Sequence, residues 1–294
     1  MAELSLVPVE PTPDEVGRLV DRLVELRFLG LYGGRLAARA AAEAMVQRLR
    51  PQLRLVEAAG VGRAWVFPEG VDLGVLDVEL PKLAAAGTLR GLLADLARAE
   101  DRAGLTASVR PRDPAREAFV LDGGFEVLAT QMRLDLDTPP APEERVRLRT
   151  MTAAEYDSWF DGQVETYARE RQEAGEPAEA ALVNARETFA ELLPDGLASP
   201  DQHLFVGLEG ETVVGHLWIG TNRPTHWVYD VVVRASQRRQ GLGAGLMRAG
   251  ARWSHAAGAA AIGLNVFGHN SGARALYDRL GYEVTEVVHR LDLR

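Results

Sequence analysis

The sequence predicts two tandem domains of the α/β (α+β) class, and three observations lead there. Strand-like alternation and helical periodicity follow one another along the whole chain. Short stretches recur at one interval: Gly124-Phe125-Glu126-Val127 is matched by Gly281-Tyr282-Glu283-Val284, and Arg133-Leu134-Asp135-Leu136 by Arg290-Leu291-Asp292-Leu293, each 157 residues apart. Between the copies lies Asp137-Thr138-Pro139-Pro140-Ala141-Pro142-Glu143-Glu144, a composition that makes a stiff, extended linker. The first domain is therefore expected at 1–136, the linker at 137–145 and the second domain at 146–294. With 294 residues, each domain is long enough to bury a core of its own.

In the first copy, residues 4–7 read as a short strand, and Pro13-Asp14-Glu15 as a helix start. Val16, Leu19, Val20, Leu23 and Leu26 give that helix an apolar stripe. An Ala-rich helix over 35–50 stops at Pro51, and 53–58 with 63–67 read as hairpin strands. In the strand over 71–80 the apolar positions run Val71, Leu73, Val75 and then Leu76, Val78, Leu80. The change of parity predicts a β-bulge at its middle. A helix over 89–103, a strand near 106–109, a short helix over 114–121 and a last strand pair complete the copy.

The second copy enters through a strand at 146–149. Thr152-Ala153-Ala154-Glu155 then starts a helix through about 168 as a capping box. A second helix is expected near 178–193, and strands 203–208 and 213–220 flank the turn Glu209-Gly210-Glu211-Thr212. The strand over 227–233 leads into Arg238-Arg239-Gln240-Gly241-Leu242-Gly243-Ala244, and a helix begins behind that loop. Backbone N–H groups at a helix start carry partial positive charge and lack partners, so this loop is a candidate anion site. Its glycines do not fall at the spacing of a dinucleotide fold, and no Gly-Lys-Ser/Thr of a nucleotide P-loop is present.

Arg238, Gly241 and Gly243 satisfy the pattern [QR]-x-x-G-x-[GA]. Downstream come a strand, Asn270 opening a short helix, Tyr277 seven residues later, and the turn Gly281-Tyr282. In these two stretches the chain resembles the GCN5-related N-acetyltransferase (GNAT) superfamily. The resemblance implies, for each domain, a mixed, mostly antiparallel central sheet flanked by helices. It implies acetyl-CoA as cosubstrate, no metal, and acyl transfer to an amine. Carried over to this chain, Val231, Val232 and Val233 would pair with the pantetheine arm. Backbone groups of Arg238, Arg239, Gln240, Gly241, Leu242, Gly243 and Ala244 would hold the pyrophosphate, with Asn270 and Ala273 beside it. Tyr277 would give a proton to the departing thiolate. The tandem layout is similar to that of mycothiol synthase, which would make a cysteinyl-sugar amine the acceptor. A small-molecule primary amine of another kind, or a coenzyme A-binding regulator without turnover, are the other readings.

The two copies are unequally equipped. Where the second has Gly241, Asn270 and Tyr277, the first has Ala85, Asp113 and Val120, so it is expected to be structural or substrate-shaping. Acetylation also needs a neutral amine, and a lysine-type amine is only ~0.04% neutral at pH 7. His226 and Asp230, on the strand before the loop, are the candidate bases, acting directly or through water. Glu155, Asp157, Asp161, Glu165 and Glu170 make the first helix of the second domain acidic, either as a solvated face or as one that draws a cationic amine, and Trp159 and Tyr167 are candidates for lining the acceptor groove.

Composition limits the alternatives. The absence of cysteine excludes disulfides, thiolate metal sites and a cysteine nucleophile. A net charge of −9 argues against a general nucleic-acid binder. Met1-Ala2-Glu3-Leu4-Ser5-Leu6-Val7-Pro8 has neither the basic nor the long apolar region of a signal peptide, so a cytoplasmic protein, monomeric or homodimeric, is expected.

Overall fold

A computed structural model describes residues 4–32, 34–138, 140–173 and 176–294; the side chain of Asp161 is also outside the description. Residues 1–3 of the N-terminal segment and Pro139 of the expected linker therefore lie outside the described residues, as does the Asp161 side chain on the acidic helix. The elements are β1 (Val7–Val9), α1 (Pro13–Leu23), α2 (Leu29–Tyr32), α3 (Arg35–Leu49), β2 (Arg54–Ala58), β3 (Gly62–Glu69), β4 (Asp72–Glu79), α4 (Ala86–Ala99), β5 (Gly104–Val109), α5 (Pro114–Val120) and β6 (Glu126–Asp135). They continue with β7 (Arg147–Thr150), α6 (Ala153–Glu173), α7 (Ala178–Leu192), β8 (Gln202–Glu209), β9 (Thr212–Gly220), β10 (Thr225–Val233), α8 (Leu242–Ala256), β11 (Ala261–Phe267), α9 (Ser271–Arg279) and β12 (Glu283–Asp292). None of the described helices is long and apolar enough to cross a membrane.

Two compact units result: one comprises the chain up to Thr130 together with Val284–Arg294, the other Gln131–Glu283. The units differ from the sequence division at 137–145, because the first is closed by β12 and the second takes in β6 from Gln131 onward.

In the first unit the sheet order is β1-β2-β3-β4-β5-β12, with β4 and β5 parallel and the other pairs antiparallel. Thr12 and Glu15 cap α1 reciprocally, and Pro13 occupies its first turn. The apolar stripe does not run on through Leu26. Residues 24–28 wind as a π-turn, which brings Val24 and Phe28 inward instead. Leu19, Val20, Leu23, Ala38 and Val46 of α1 and α3 pack on Leu55 and Trp65, one face of the sheet. On the other face, Leu89, Leu93 and Phe119 of α4 and α5 cover Val56, Val66, Leu73 and Val75. The predicted bulge is present: pairing passes from Trp65↔Asp77 to Val66↔Val75 and leaves Leu76 unmatched. The first strand is Val7–Val9 rather than 4–7, since the register with β2 begins at Val7↔Glu57. Pro8 is tolerated there because an edge strand has only one neighbour.

In the second unit the order is β6-β11-β10-β9-β8-β7, with β10 and β11 parallel and β7 to β10 antiparallel. Thr152 and Glu155 form the expected capping box of α6, with Arg149 adding a two-point ion pair to Glu155. Trp159 and Phe189, from α6 and α7, pack on Leu204, Val206 and Trp218. On the opposite face Leu242 and Leu246 of α8 meet Val146 and Val214. The helix α6 runs to Glu173, past the expected end near 168, and carries Glu170 with it.

Candidate active site

In the second unit, β10 meets β9 in register up to Val228↔Ile219 and resumes at Asp230↔Trp218, so Tyr229 is a bulge. Parallel pairing of β10 with β11 ends at the same point, Val228↔Leu264. Beyond it a cavity of about 280 Å³ opens between the two strands. Asp230, Val231 and Val232 of β10 and Asn265 and Val266 of β11 form one side, and Asn270, Ala273 and Tyr277 close it from α9. The far wall is Gln163, Thr166, Tyr167 and Glu170 of α6, Thr188 and Phe189 of α7, and Trp218 and Trp227. None of the described residues lining it is Lys, Arg or His.

The loop behind β10 reaches α8 through two residues in the left-handed region, Arg239 (φ 60°) and Gly241 (φ 82°). Gly241 is the N-cap of α8, and no side chain caps this helix start. By contrast Asn270 caps α9, accepting from the Ala273 N–H at 3.1 Å. The first-turn N–H groups of Leu242, Gly243 and Ala244 are thus left to a ligand or to water. Arg145 donates to the Gln240 carbonyl and Arg238 to that of Val233, which pins the loop at both ends.

The structure brings Asp230, Val231, Val232, Asn270, Ala273 and Tyr277 together around one cavity. Val233 ends β10, Arg238, Arg239, Gln240 and Gly241 form the turn, and Leu242, Gly243 and Ala244 begin α8; none of them is part of the cavity wall. His226 does not reach it: the ring is buried 5.8 Å from that of Trp253 on α8, with Nδ1 unpartnered among the described residues. Burial, aided by His203, holds its pKa below the ordinary histidine value. The base role expected of His226 has no geometric support, because its position on the strand turns it toward α8. Asp230 faces the cavity but is engaged: His216 Nε2 lies 2.8 Å from Oδ2, and Trp159 Nε1 donates to the same oxygen at 3.4 Å.

Tyr277 is 6% exposed. Burial first, and then the charges of Asp230 and Glu170, push its phenol up to about 12. Glu170 is raised to about 7 by burial, followed by Asp230 and Glu173. On sequence alone Glu170 belonged to the acidic face of this helix, either solvated or drawing a cationic amine, with nothing to set it at the cavity. Sequence reasoning also missed His216, whose role depends on a neighbouring strand. Tyr167 lines the cavity as expected, whereas Trp159 lines an adjoining depression with His216 and Arg234.

The matching place in the first unit is filled from within. Arg116, 157 residues before Ala273, sends its guanidinium into the gap beyond the Leu76 bulge. Nη2 donates to the Leu76 carbonyl and to Asp77 (2.8 Å), and Nη1 to the Ser108 carbonyl at 3.4 Å. Arg22 grips the same Asp77 at two points, 2.7 and 2.9 Å. Ser108 and Asp77 stand where the second unit has Asn265 and Asp230. The signal was present in the sequence, as arginine against alanine at one interval.

A mixed sheet with a bulge-opened cleft and an uncapped helix start beside it makes a site for an anionic ligand that reaches into the sheet. The family model described as the acetyltransferase (GNAT) family matches residues 156–282. The uncharacterized N-acetyltransferase YycN of Bacillus subtilis (strain 168) is 32% identical over 151 residues, which cover 49% of this chain and 96% of that protein. The chain belongs to the GNAT family, and it is an acyltransferase of that kind. Among solved structures it is similar to a GCN5-related N-acetyltransferase from Sphaerobacter thermophilus, with a TM-score of 0.60 and 19% identity, covering 98% of this chain and 96% of that one. A tandem GNAT protein from the clavulanic acid biosynthesis pathway matches at a TM-score of 0.50 and 20% identity, over 99% of both chains. The fold is thus two tandem GNAT-like domains.

Proposed function

We propose that this chain transfers the acetyl group of acetyl-CoA to the primary amine of a small molecule, with the chemistry confined to the second unit. The observation that carries the reading is the single cavity that joins the splayed β10 and β11 to the acid-bearing wall of α6. The fit to the cosubstrate rests on an observation of this chain: α8 starts without a cap behind a left-handed glycine, as an anion-holding helix start requires. Backbone groups of residues 239–244 would hold the pyrophosphate, and the exposed edge of Val231 to Val233 the pantetheine arm. Acetyl-CoA, when bound, supplies a reactive thioester. Tyr277, whose hydroxyl has no hydrogen-bond partner among the described residues, gives its proton to the leaving sulfur. A purely coenzyme A-binding regulator has no use for such a phenol. The first unit is a scaffold, because Arg116 occupies its cleft.

Calorimetric titration of acetyl-CoA into the wild type and Gly241→Trp tests this, with release of coenzyme A measured over a panel of primary amines. One site per chain, lost in the variant, is the expected result. Two sites would overturn the assignment to one unit, and none would overturn the reading altogether.

A further inference from the structure

The cavity holds two carboxylates of different standing. Asp230 is occupied by His216 and Trp159. Glu170 is half-buried and makes neither a hydrogen bond nor an ion pair among the described residues, although burying a carboxylate without a partner is costly. Tyr277 is likewise unpartnered and lines the same space. Two polar groups without partners among the described residues, facing one cavity that no described basic side chain lines, call for a ligand that brings positive charge and protons.

We propose that Glu170 seats the ammonium group of the acceptor and takes its proton, between the aromatic walls of Tyr167, Trp218 and Trp227. The inference deepens the acetyltransferase reading and rests on it. It names the acceptor class as a cationic primary amine whose substituent lies along these rings; Arg171 already stands 5.6 Å from the Tyr167 ring and Arg223 5.6 Å from that of Trp227, so the ammonium is left to Glu170. Asp230 is the held neighbour that supplies charge and leaves the proton to Glu170.

Every element around Glu170 bears on its ionisation. Asp230, paired to His216, faces it from β10, and Tyr277 from α9. On its own helix stand Glu173, 3.2 Å from His269, and Arg171, which is taken up by Glu176 and Tyr167. From α7 come the uncharged Thr188 and Phe189. Burial and the like charges of Asp230 and Glu173 raise Glu170 to about 7, where a base is half-ionised at neutral pH and able to cycle.

The proton count closes. Glu170 removes one proton from the ammonium; the freed nitrogen lone pair forms the bond to the acetyl carbon, and the carbon–sulfur bond breaks. The sulfur takes the phenolic proton of Tyr277, the phenolate recovers one from the acylated nitrogen, and Glu170 releases its own to solvent. The two groups are also coupled, since the charge of Glu170 is among the causes that hold the proton on Tyr277. Once Glu170 is protonated, that charge is gone and Tyr277 becomes the better acid for the step that follows.

The test compares wild type, Glu170→Gln and the exposed-face control Glu165→Gln. Putrescine is titrated calorimetrically into each protein saturated with coenzyme A at pH 6 and pH 8, and acetyl-CoA binding is measured in parallel. Putrescine affinity in the wild type and control is expected to rise about tenfold over that interval, as a carboxyl near 7 ionises. In Glu170→Gln it is weak and independent of pH, while acetyl-CoA binds as in the wild type. Turnover of putrescine, n-butylamine and phenethylamine gives the second readout. Glu170→Gln loses roughly 10²–10⁴-fold in kcat and the inflection near neutral pH disappears. Equal putrescine affinity and equal pH dependence in wild type and Glu170→Gln overturn this proposal and leave the acetyltransferase reading standing. Failure of all three proteins to bind acetyl-CoA overturns both.

Discussion

Gly241 and Gly243 stand two residues apart in the loop into α8, and their replacement by alanine should have different signatures. At Gly241 the backbone is left-handed, with φ 82°, yet an added Cβ would come no closer to another group than 3.6 Å, to Arg145 Nη1. The whole cost is conformational, about 1–2 kcal/mol for a residue with a Cβ. Gly241→Ala should therefore lower the melting temperature by roughly 2–8 °C for a unit of this size. If the loop relaxes instead of bearing that strain, the same energy appears as a loss of about 5- to 30-fold in affinity for coenzyme A. At Gly243 the conformation is ordinary, and the new methyl would touch Leu276 Cδ2 at 3.4 Å and Val233 Cγ2 at 3.7 Å. Alanine also favours the first turn of a helix by up to about 1 kcal/mol over glycine. Gly243→Ala should then leave stability unchanged or slightly raised and coenzyme A affinity close to that of the wild type, because the pattern this loop satisfies admits alanine there and the methyl turns toward Leu276 and Val233. Thermal melting and calorimetric titration of coenzyme A measure the two quantities separately. A Gly241→Ala protein that keeps both the melting temperature and the coenzyme A affinity of the wild type would refute the strain placed at this helix start.

Tyr277→Phe should reduce turnover by roughly 10²–10⁴-fold with acetyl-CoA affinity and melting temperature nearly unchanged, since the hydroxyl has no partner to lose; steady-state kinetics and calorimetry check this. Arg116→Met removes a buried guanidinium that spans Leu76, Ser108 and Asp77 and leaves Asp77 with Arg22 alone. Breaking a buried pair of this kind costs about 3–5 kcal/mol, to be read from the first transition in urea. For Glu286, burial pushes the carboxyl up, but the guanidiniums of Arg110 and Arg27 outweigh it and hold it below the ordinary value. A carboxyl lowered in the folded state adds stability above its unfolded value of ~4.3, and that stability is lost as pH falls through the folded value. Glu286→Gln should thus flatten the acid limb of a plot of melting temperature against pH, leaving it lower than wild type at pH 7.

Local rules reached far into this fold. The parity change at Leu76 located a bulge before any pairing was known, and Thr152 with Glu155 located a helix start, because both signals lie within a few residues. The bulge at Tyr229 escaped, since the run Trp227 to Val233 is apolar on both parities apart from Asp230 and shows no switch. Helix α6 was ended one turn early, and Glu170 was counted with the other acids of that helix rather than set apart at the cavity. Nothing in the polar composition of that turn reveals that β10 and α9 stand opposite. His226 and Asp230 are close along one strand, and only the neighbouring elements decide that one meets Trp253 and the other the cavity. The reading of the anion loop was the most direct, because its glycines answer to backbone angles and owe nothing to distant packing.

The closure of the first unit by β12 also has a temporal meaning. Its first 130 residues leave the ribosome well before Val284–Arg294, and 153 residues must be made in between. At about 5–20 residues per second that delay is roughly 10–30 s. Throughout it, β5 presents the edge that Val287 to Asp292 later cover, and an unpaired edge is a template for the wrong partner. The second unit, contiguous from Gln131 to Glu283, has all of its strands before the first has its last. Nascent chains stalled just after Glu283 should accordingly carry a protease-resistant second unit beside a first unit that is still open to cleavage and to chaperones.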